Sequence, residues 1–429
     1  MNDFMDFIDT GNSVLLLKDI NQVLELINNN PRFIRKLRET MDKLEEVKER
    51  LEKSDLKNEI ELILKAKEEF RTKLEFYLDR ACENIELNHG ECYYASNLRE
   101  TLDLLNTFLN KDDKILISLA PEIRELDLPN HLKNLGYNTY FSKIAQLIGD
   151  IIGLKYPSKY SLELIDEDYI LSKLNEFLGV KLRNLDDALD YLGEYVKKLY
   201  SGADIAITGA DAVAADTGTI FIVDEEGDIR PLTGSPRVHI VIVGIDKVYP
   251  TYIDAWTATY IKYNLTYVRK PTNISIISSP SKTGDIEKMI AYGAHGPEKL
   301  IVILLDNKRK ITMLDKKVNS INNCLDCGAC STFMPILIGI TGNLAFPVES
   351  LKELYYRIIN KDPALKPNNV RKVISRIIKE GGITNCPLKI EYEQILNIIT
   401  PEDSQLEEKT EKLIGELLEK LLKKMIDRA

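Results

Sequence analysis

Cysteine, histidine and tryptophan are all scarce in this chain of 429 residues, at six, four and one. Six Cys exclude a secreted scaffold stapled by disulfides, which needs a far higher density. An excess of positive charge is lacking as well. The 57 Lys and Arg stand against 67 Asp and Glu, a net charge of −10, which argues against gripping nucleic acid through a broad phosphate-binding face. Long hydrophobic runs are missing: stretches such as 240–245 and 300–305 are strand-sized, far below the roughly 20 residues of a membrane helix. The opening Met1-Asn2-Asp3-Phe4-Met5-Asp6 is acidic, whereas a signal peptide opens with a basic region. These absences read as a cytoplasmic protein with reduced thiols, no membrane span and no nucleic-acid partner.

What is present is enough chain for two to four domains at roughly 100–200 residues each. Residues 31–80 balance acidic and basic side chains around apolar stripes at helical spacing, Leu37, Met41, Leu44, Val47 and Leu51, then Phe70, Leu74, Leu78 and Ala81. Packed helices follow from that periodicity. From about 88 the pattern alternates. Short apolar runs at 91–95, 114–118, 137–141, 205–208, 219–224, 238–244, 274–278 and 300–305 are separated by helical stretches at 97–109, 127–136, 162–200, 250–262 and 282–292. Nearly continuous apolar strands alternating with helices predict an α/β sheet covered on both faces. After about 311 the strand signal stops and short helical patterns take over. The last segment opens Thr400-Pro401-Glu402-Asp403, a helix-start signature, and runs on as an amphipathic helix through Leu413, Leu417, Leu421 and Met425.

The six Cys sort by position. Cys324-Leu-Asp-Cys327-Gly-Ala-Cys330 places three thiols at two-residue gaps, with Met334-Pro335 four residues on and one Cys386-Pro387 downstream. The bacterial ferredoxin run is C-x₂-C-x₂-C-x₃-C-P, in which the fourth Cys of a two-cluster protein serves the other cluster. Met334 replaces that fourth Cys here, so Cys324, Cys327, Cys330 and Cys386 supply one complete [4Fe–4S] site and no second one. Zinc is the alternative metal, but its ligands usually come as two C-x₂-C knuckles. Cys82 and Cys92, at a helix end and on a strand, read as ordinary small core residues.

Two loops of the sheet region are dense in Gly, Ser, Thr and charge. The first, 208–219, carries Asp216 and Thr217 near the sheet edge. The second, 278–287, reads as a strand leading into a helix, so Ser281, Lys282 and Thr283 would meet an anion at a helix start. A simple N-cap explains Ser281 or Thr283 equally well, and the Walker A spacing is absent. His239 lies on an apolar strand and reads as a satisfied core residue. His295, in the turn Gly293-Ala-His295-Gly-Pro297, is better placed to meet a ligand near a strand end. His89 and His131 read as surface residues. No nucleophile–base pair and no G-x-G-x-x-G dinucleotide fingerprint is visible.

Taken together, these residues resemble the LUD-domain family, the lactate-utilisation proteins, and in particular their iron–sulfur subunit. The matching stretches are Ile207–Thr219, Ser235–Lys247, Ser279–Glu287 and Gly293–Pro297, followed by the Cys run. The resemblance implies a sheet domain of the sugar-phosphate isomerase and CoA-transferase-like type fused to an α-helical ferredoxin-like module. It divides the chain into a helical region 1–87, an α/β domain 88–310, an iron–sulfur module 311–400 and a C-terminal helix 401–429. It also implies a part in oxidising L-lactate or a related small 2-hydroxy acid within a multi-subunit redox complex, with other subunits and a small anionic metabolite as partners. Two departures stand out. The family's iron–sulfur subunits carry ligands for two clusters, and this chain has ligands for one. Where the family has an acidic residue and a pair of His after the third strand, this chain reads Tyr140-Phe-Ser-Lys-Ile-Ala-Gln-Leu-Ile148. The expected function is therefore an iron–sulfur electron-transfer subunit that binds an anion at Ser281, Lys282, Thr283, Asp216, Thr217 and His295. A redox-sensing protein, or an isomerase- or ligase-like enzyme with a purely structural cluster, is the alternative.

Overall fold

The computed structural model describes residues 56–153, 167–224, 227–265, 271–284, 290–328, 350–361, 386–392 and 394–395. The apolar stripe at 37–51, Cys330 and the amphipathic segment beyond 400 lie outside the described residues. Among the described residues no helix is long and apolar enough to cross a membrane.

In chain order the strands are β1 (Glu91–Ala95), β2 (Lys114–Ile117), β3 (Asn138–Phe141), β4 (Ile205–Thr208), β5 (Ala212–Ala214), β6 (Ile220–Asp224), β7 (Val238–Gly244), β8 (Val248–Tyr249), β9 (Asn273–Ile277), β10 (Lys282–Gly284), β11 (Ile290–Tyr292) and β12 (Lys299–Leu305). Six of them form one sheet in the order β1-β12-β7-β4-β2-β3, and every pairing is parallel. Four others form a second sheet in the order β8-β5-β6-β9, which combines one parallel and two antiparallel pairings. The expected α/β architecture is therefore present, with a second, four-stranded sheet and a separate β10-β11 pair where the sequence suggested one sheet. β5 is only three residues long, too short for an apolar pattern to reveal it.

Strand alternation builds the layers. Side chains of a strand point to opposite faces in turn, and the central apolar runs split accordingly. Val241, Val243, Val302 and Leu304 enter one core, while Ile240, Ile242, Ile301 and Ile303 enter another. The second core is covered by the helices Leu98–Phe108 and Leu128–Asn134, through Leu105 and Leu132. The first is covered by Leu74–Leu87 and Leu185–Ser201, and Val213, Ile220 and Ile222 of the smaller sheet join it. The other face of the smaller sheet packs through Ala212, Ala214 and Phe221 against helices Leu56–Thr72 and Tyr252–Leu265. A strand buried on both faces with no polar alternation is the signature of a doubly covered parallel sheet.

Three expectations change. The helical stretch expected over 162–200 is broken: one helix spans Glu167–Leu178, Gly179 follows at φ 64, and a second, Leu185–Ser201, starts at an Asn184 cap. A left-handed glycine satisfies the helix end and stops it. The helix expected over 282–292 is instead a hairpin, in which β10 pairs antiparallel with β11. Cys82 and Cys92 are joined as a disulfide with Cα atoms 5.2 Å apart, so they are neither separate core residues nor reduced thiols. The helix Leu74–Leu87 folds back through the His89–Gly90 turn onto β1, which brings the two sulfurs together against the first core.

The same helix clasps the β5–β6 turn. Asn84 donates to the Ala215 carbonyl at 2.9 Å and Asn88 to that of Thr217 at 2.8 Å. Gly218 sits at φ +65 in this turn, and a Cβ there would lie 2.5 Å from the Ile85 nitrogen. Gly227 has a similar φ of +83 with nothing near its missing Cβ. Gly227→Ala is expected to cost about 1–2 kcal/mol for the left-handed backbone alone, and Gly218→Ala clearly more, because backbone must also move. Urea unfolding midpoints of the two variants check the difference.

Candidate functional site

In an open α/β sheet, ligands and chemistry gather outside the carboxyl ends of the strands. Here that edge carries an unusual amount of buried charge. Glu122 and Glu125 follow β2, Asp246 and Lys247 follow β7 in a single tight turn, and Arg309 follows β12. Lys67 reaches in from the helix Leu56–Thr72. From the C-terminal part of the chain, Asp326 lies within the Cys loop and Lys352, Glu353 and Arg357 lie on a helix, Leu351–Ile359, capped by Ser350.

The groups pair closely. Arg309 Nε is 2.6 Å from Asp246 Oδ1, and its NH2 nitrogen is 2.9 Å from Glu125 Oε1. Lys352 Nζ lies 2.8 Å from both Asp246 Oδ2 and Asp326 Oδ2. Lys247 Nζ is 2.7 Å from Glu122 and 3.3 Å from Asp326. Arg124 holds Glu353 through two parallel hydrogen bonds of 2.9 and 3.0 Å, the geometry that favours arginine for carboxylates. Lys67 donates to the carbonyls of Asp246 and Asn322 at 2.9 and 2.7 Å. The side chains of Asp246, Arg309, Glu122 and Lys352 are 0% exposed. A Cβ at Gly244 would run into Arg309 Nε and the Asp246 carboxylate, so glycine ends β7 here.

Burial alone would raise the Asp246 carboxyl, but Lys352, Arg309, Lys67 and Lys247 hold it below the usual carboxylate range. Burial pushes Glu125 up to about 7 against the pull of Arg309, and brings Lys67 down to about 7 despite Asp246. Burying an isolated charge is prohibitive, so the network forms as a unit. Five carboxylates (Glu122, Glu125, Asp246, Asp326, Glu353) face six cations (Lys67, Arg124, Lys247, Arg309, Lys352, Arg357). Such a set clamps segments together. Sequence reasoning missed it. The one available signal was Asp246-Lys247 one residue beyond a seven-residue, mostly apolar strand, after Ile245, a place where a solvated pair is not expected.

The Cys segment is docked on this edge. Cys324, Cys327 and Cys386 are not disulfide-bonded, and Cys330 lies outside the described residues. Among the described residues no three Cys, His, Asp or Glu side chains are gathered as a metal-binding group. The surroundings nevertheless fit an iron–sulfur cluster in donor type and location. Cys327 and Cys386, 59 positions apart in sequence, pack against one apolar cluster that includes Leu325 and Leu388. Asn323 donates to the Leu388 carbonyl and Glu391 N–H to Ser320, fixing the two segments side by side. Asp326 and Gly328 take left-handed backbone, φ 53 and 77, and the Asp326 N–H points at Cys324 Sγ at 3.4 Å. Burial pushes the Cys386 thiol up, offset in part by the Leu388 backbone, the Tyr392 side chain and the Ile390 backbone. Hydrogen bonds to the sulfurs are a normal feature of iron–sulfur sites.

The residues expected to bind an anion are placed differently from that expectation. Ser281 N–H is spent on the Pro297 carbonyl at 2.8 Å, and Ser281 Oγ accepts from His295 N–H at 3.3 Å. Lys282 and Thr283 lie in the β10–β11 ladder, and Lys282 and His295 are exposed. Among the described residues no helix start is present there to supply free N–H groups, and the Gly293–Pro297 turn lies before β12, at the amino edge of the central sheet. Thr219 and Ser278 share a 2.9 Å hydrogen bond, so the Asp216–Thr217 turn does come beside this strand. His239 is a satisfied core residue, as its strand context implied: it shares a 2.8 Å hydrogen bond with Thr208. A cluster unnoticed in the sequence lies at the switch point between β2 and β4, where Ser118 and Ser142 both donate to Asp228 Oδ2, at 3.0 and 2.7 Å.

An all-parallel sheet with a buried charge clamp and a docked Cys segment at its carboxyl edge defines the class of protein. Residues 78–305 match the model of the LUD domain, and the chain belongs to the LUD domain family. It is similar to lactate utilization protein B of Shouchella clausii, 23% identical over 63% of this chain and 56% of that protein. Lactate utilization protein B 1 of Bacillus mycoides is 24% identical, and lactate utilization protein B of Bacillus subtilis 23%, with the same coverage. The chain thus spans about half the length of the curated relatives it matches. A crystal structure of a duf162 family protein from Deinococcus radiodurans aligns over 55% of this chain and 98% of its own, at 15% identity and a TM-score of 0.31.

Burial pushes His239 down to about 4, below the ordinary value near 6.5 that it regains on unfolding. Its neutral form therefore stabilises the fold above about 6.5, and that contribution is lost as pH falls toward 4. The loss is on the order of 3 kcal/mol across this window. Chemical unfolding of the protein and of His239→Gln between pH 7 and about 4 checks it: the variant is expected to lack this part of the pH dependence.

Proposed function

We propose that this chain is an iron–sulfur electron-transfer subunit of a complex that oxidises L-lactate or a related small 2-hydroxy acid. The observation that supports the reading is that Cys327 and Cys386, far apart in sequence, both pack against one apolar cluster. The names of the relatives, lactate utilization protein B, support the hydroxyacid. Cys324, Cys327, Cys330 and Cys386 would hold one [4Fe–4S] cluster. When bound, such a cluster supplies transfer of one electron at a time.

The chain's own residues do the rest. Leu325 and Leu388 form an apolar flank against which Cys327 and Cys386 pack, and an apolar shell lowers the local dielectric. Asp326 N–H and the Leu388 and Ile390 backbone donate toward the sulfurs. The charge network fixes the loop through Asp326. Removing two electrons from a hydroxyacid needs a second redox centre, which this reading assigns to another subunit.

Iron and acid-labile sulfide analysis of anaerobically purified protein tests the proposal. Roughly four of each per chain is expected, and Cys386→Ser should lose most of both. Colourless protein holding zinc would overturn the reading, and an intact cluster in the Cys386→Ser variant would overturn the ligand set. A cluster that no hydroxyacid reduces in the presence of candidate partner subunits would favour a sensing or structural role.

A further inference from the structure

The cysteine spacing says where a cluster would be held, and the charges around Cys324 bear on how readily it would accept an electron. Lys352 Nζ lies 3.3 Å from the Cys324 carbonyl oxygen. Asp326 Oδ1 lies 3.8 Å from Cys324 Sγ, and the Asp326 N–H donates to that sulfur at 3.4 Å. Lys352 and Asp326 form a direct ion pair of 2.8 Å with side chains 0% and 1% exposed. Water and salt therefore screen neither charge effectively; the two offset each other while both are present, and removing one leaves the field of the other uncompensated.

We propose that Lys352 and Asp326 set the reduction potential of the cluster held at Cys324, with opposite signs. This rests on the iron–sulfur reading above. One-electron reduction of the bound cluster by a low-potential donor, such as dithionite acting through a viologen, makes and breaks no bond. It adds one negative charge to the cluster and its thiolates. A buried ammonium beside them favours the reduced form and raises the potential, and a buried carboxylate lowers it. Neither residue is a ligand, and neither belongs to the Cys motif by type.

The pair can be tested separately because each partner keeps another. Without Lys352, Asp246 retains Arg309 at 2.6 Å and Asp326 retains Lys247 at 3.3 Å. Without the Asp326 charge, Ser350 still has an oxygen to donate to, now at 2.7 Å.

The experiment is a mediated redox titration of the anaerobic full chain, followed by the electron paramagnetic resonance of the reduced cluster, with iron and sulfide measured on each sample. Lys352→Met is expected to disfavour reduction about tenfold, a shift of about 59 mV to lower potential for one electron. Asp326→Asn is expected to shift it upward by a similar amount, and Lys352→Arg to leave it in place. Full iron and sulfide with unmoved midpoints, or with both variants moving in the same direction, would overturn the proposal. If Lys352→Met fails to fold, an upward shift in Asp326→Asn supports the proposal, and no shift there overturns it. Wild-type protein without iron and sulfide would instead overturn the iron–sulfur reading itself, and this inference with it.

Discussion

The Asp246 carboxylate, two residues past the end of β7, is the constraint around which the carboxyl edge of the sheet is assembled. It lies wholly out of water and is reached by Arg309 from the segment after β12 and by Lys352 from a helix more than a hundred residues further on. Lys67 binds the same residue through its carbonyl. A buried carboxylate without these cations would be untenable, and the cations would be equally so without it. Each group is thus a condition for the others. Breaking one such pair by removing a single partner typically costs about 3–5 kcal/mol, so the charges specify a unique docking of the C-terminal segments even where they add little net stability.

This clamp also explains how a weakly patterned segment is held. The Cys loop has few large apolar side chains of its own: Leu325 is the main one, and it packs with Leu388 against the outer face of the smaller sheet. Asp326, between Cys324 and Cys327, is gripped from two directions by Lys247 and Lys352. The loop is therefore located both by its apolar flank and by a charge anchored in the sheet. The left-handed conformation of Asp326 turns its N–H toward sulfur while its carboxylate points into the network. One residue serves both the fold and the thiol environment.

Much of the central sheet was legible because buried parallel strands leave a plain trace. Val238–Gly244 and Lys299–Leu305 are almost unbroken apolar runs, and no soluble helix surface reads that way. The smaller sheet was less legible, since β5 and β8 have three and two residues and their pairing is set by the tertiary fold. The hairpin at 282–292 escaped because its geometry depends on contacts with Pro297 and on the Gly293 turn, distant from the local pattern. The charges around the Cys segment were not legible. Lys67, Glu122, Asp246, Arg309 and Lys352 are scattered over nearly three hundred positions, and each alone resembles an ordinary solvated side chain. Their partnership exists only in three dimensions, as does the Cys82–Cys92 bridge.

The match to the LUD domain stops at residue 305, at the last residue of β12, and Arg309 is the first charge of the clamp beyond it. Cutting the chain at that boundary would strip Asp246 of Arg309 and Lys352 and leave Arg124 without Glu353. In evolutionary terms, the sheet and its C-terminal extension are not interchangeable cassettes. A recombination event that joined this domain to a different C-terminal segment would have to bring a matching set of opposite charges with it. The unit that folds together extends beyond the region matched by the family, and its border runs through the ion pairs rather than through the strand end.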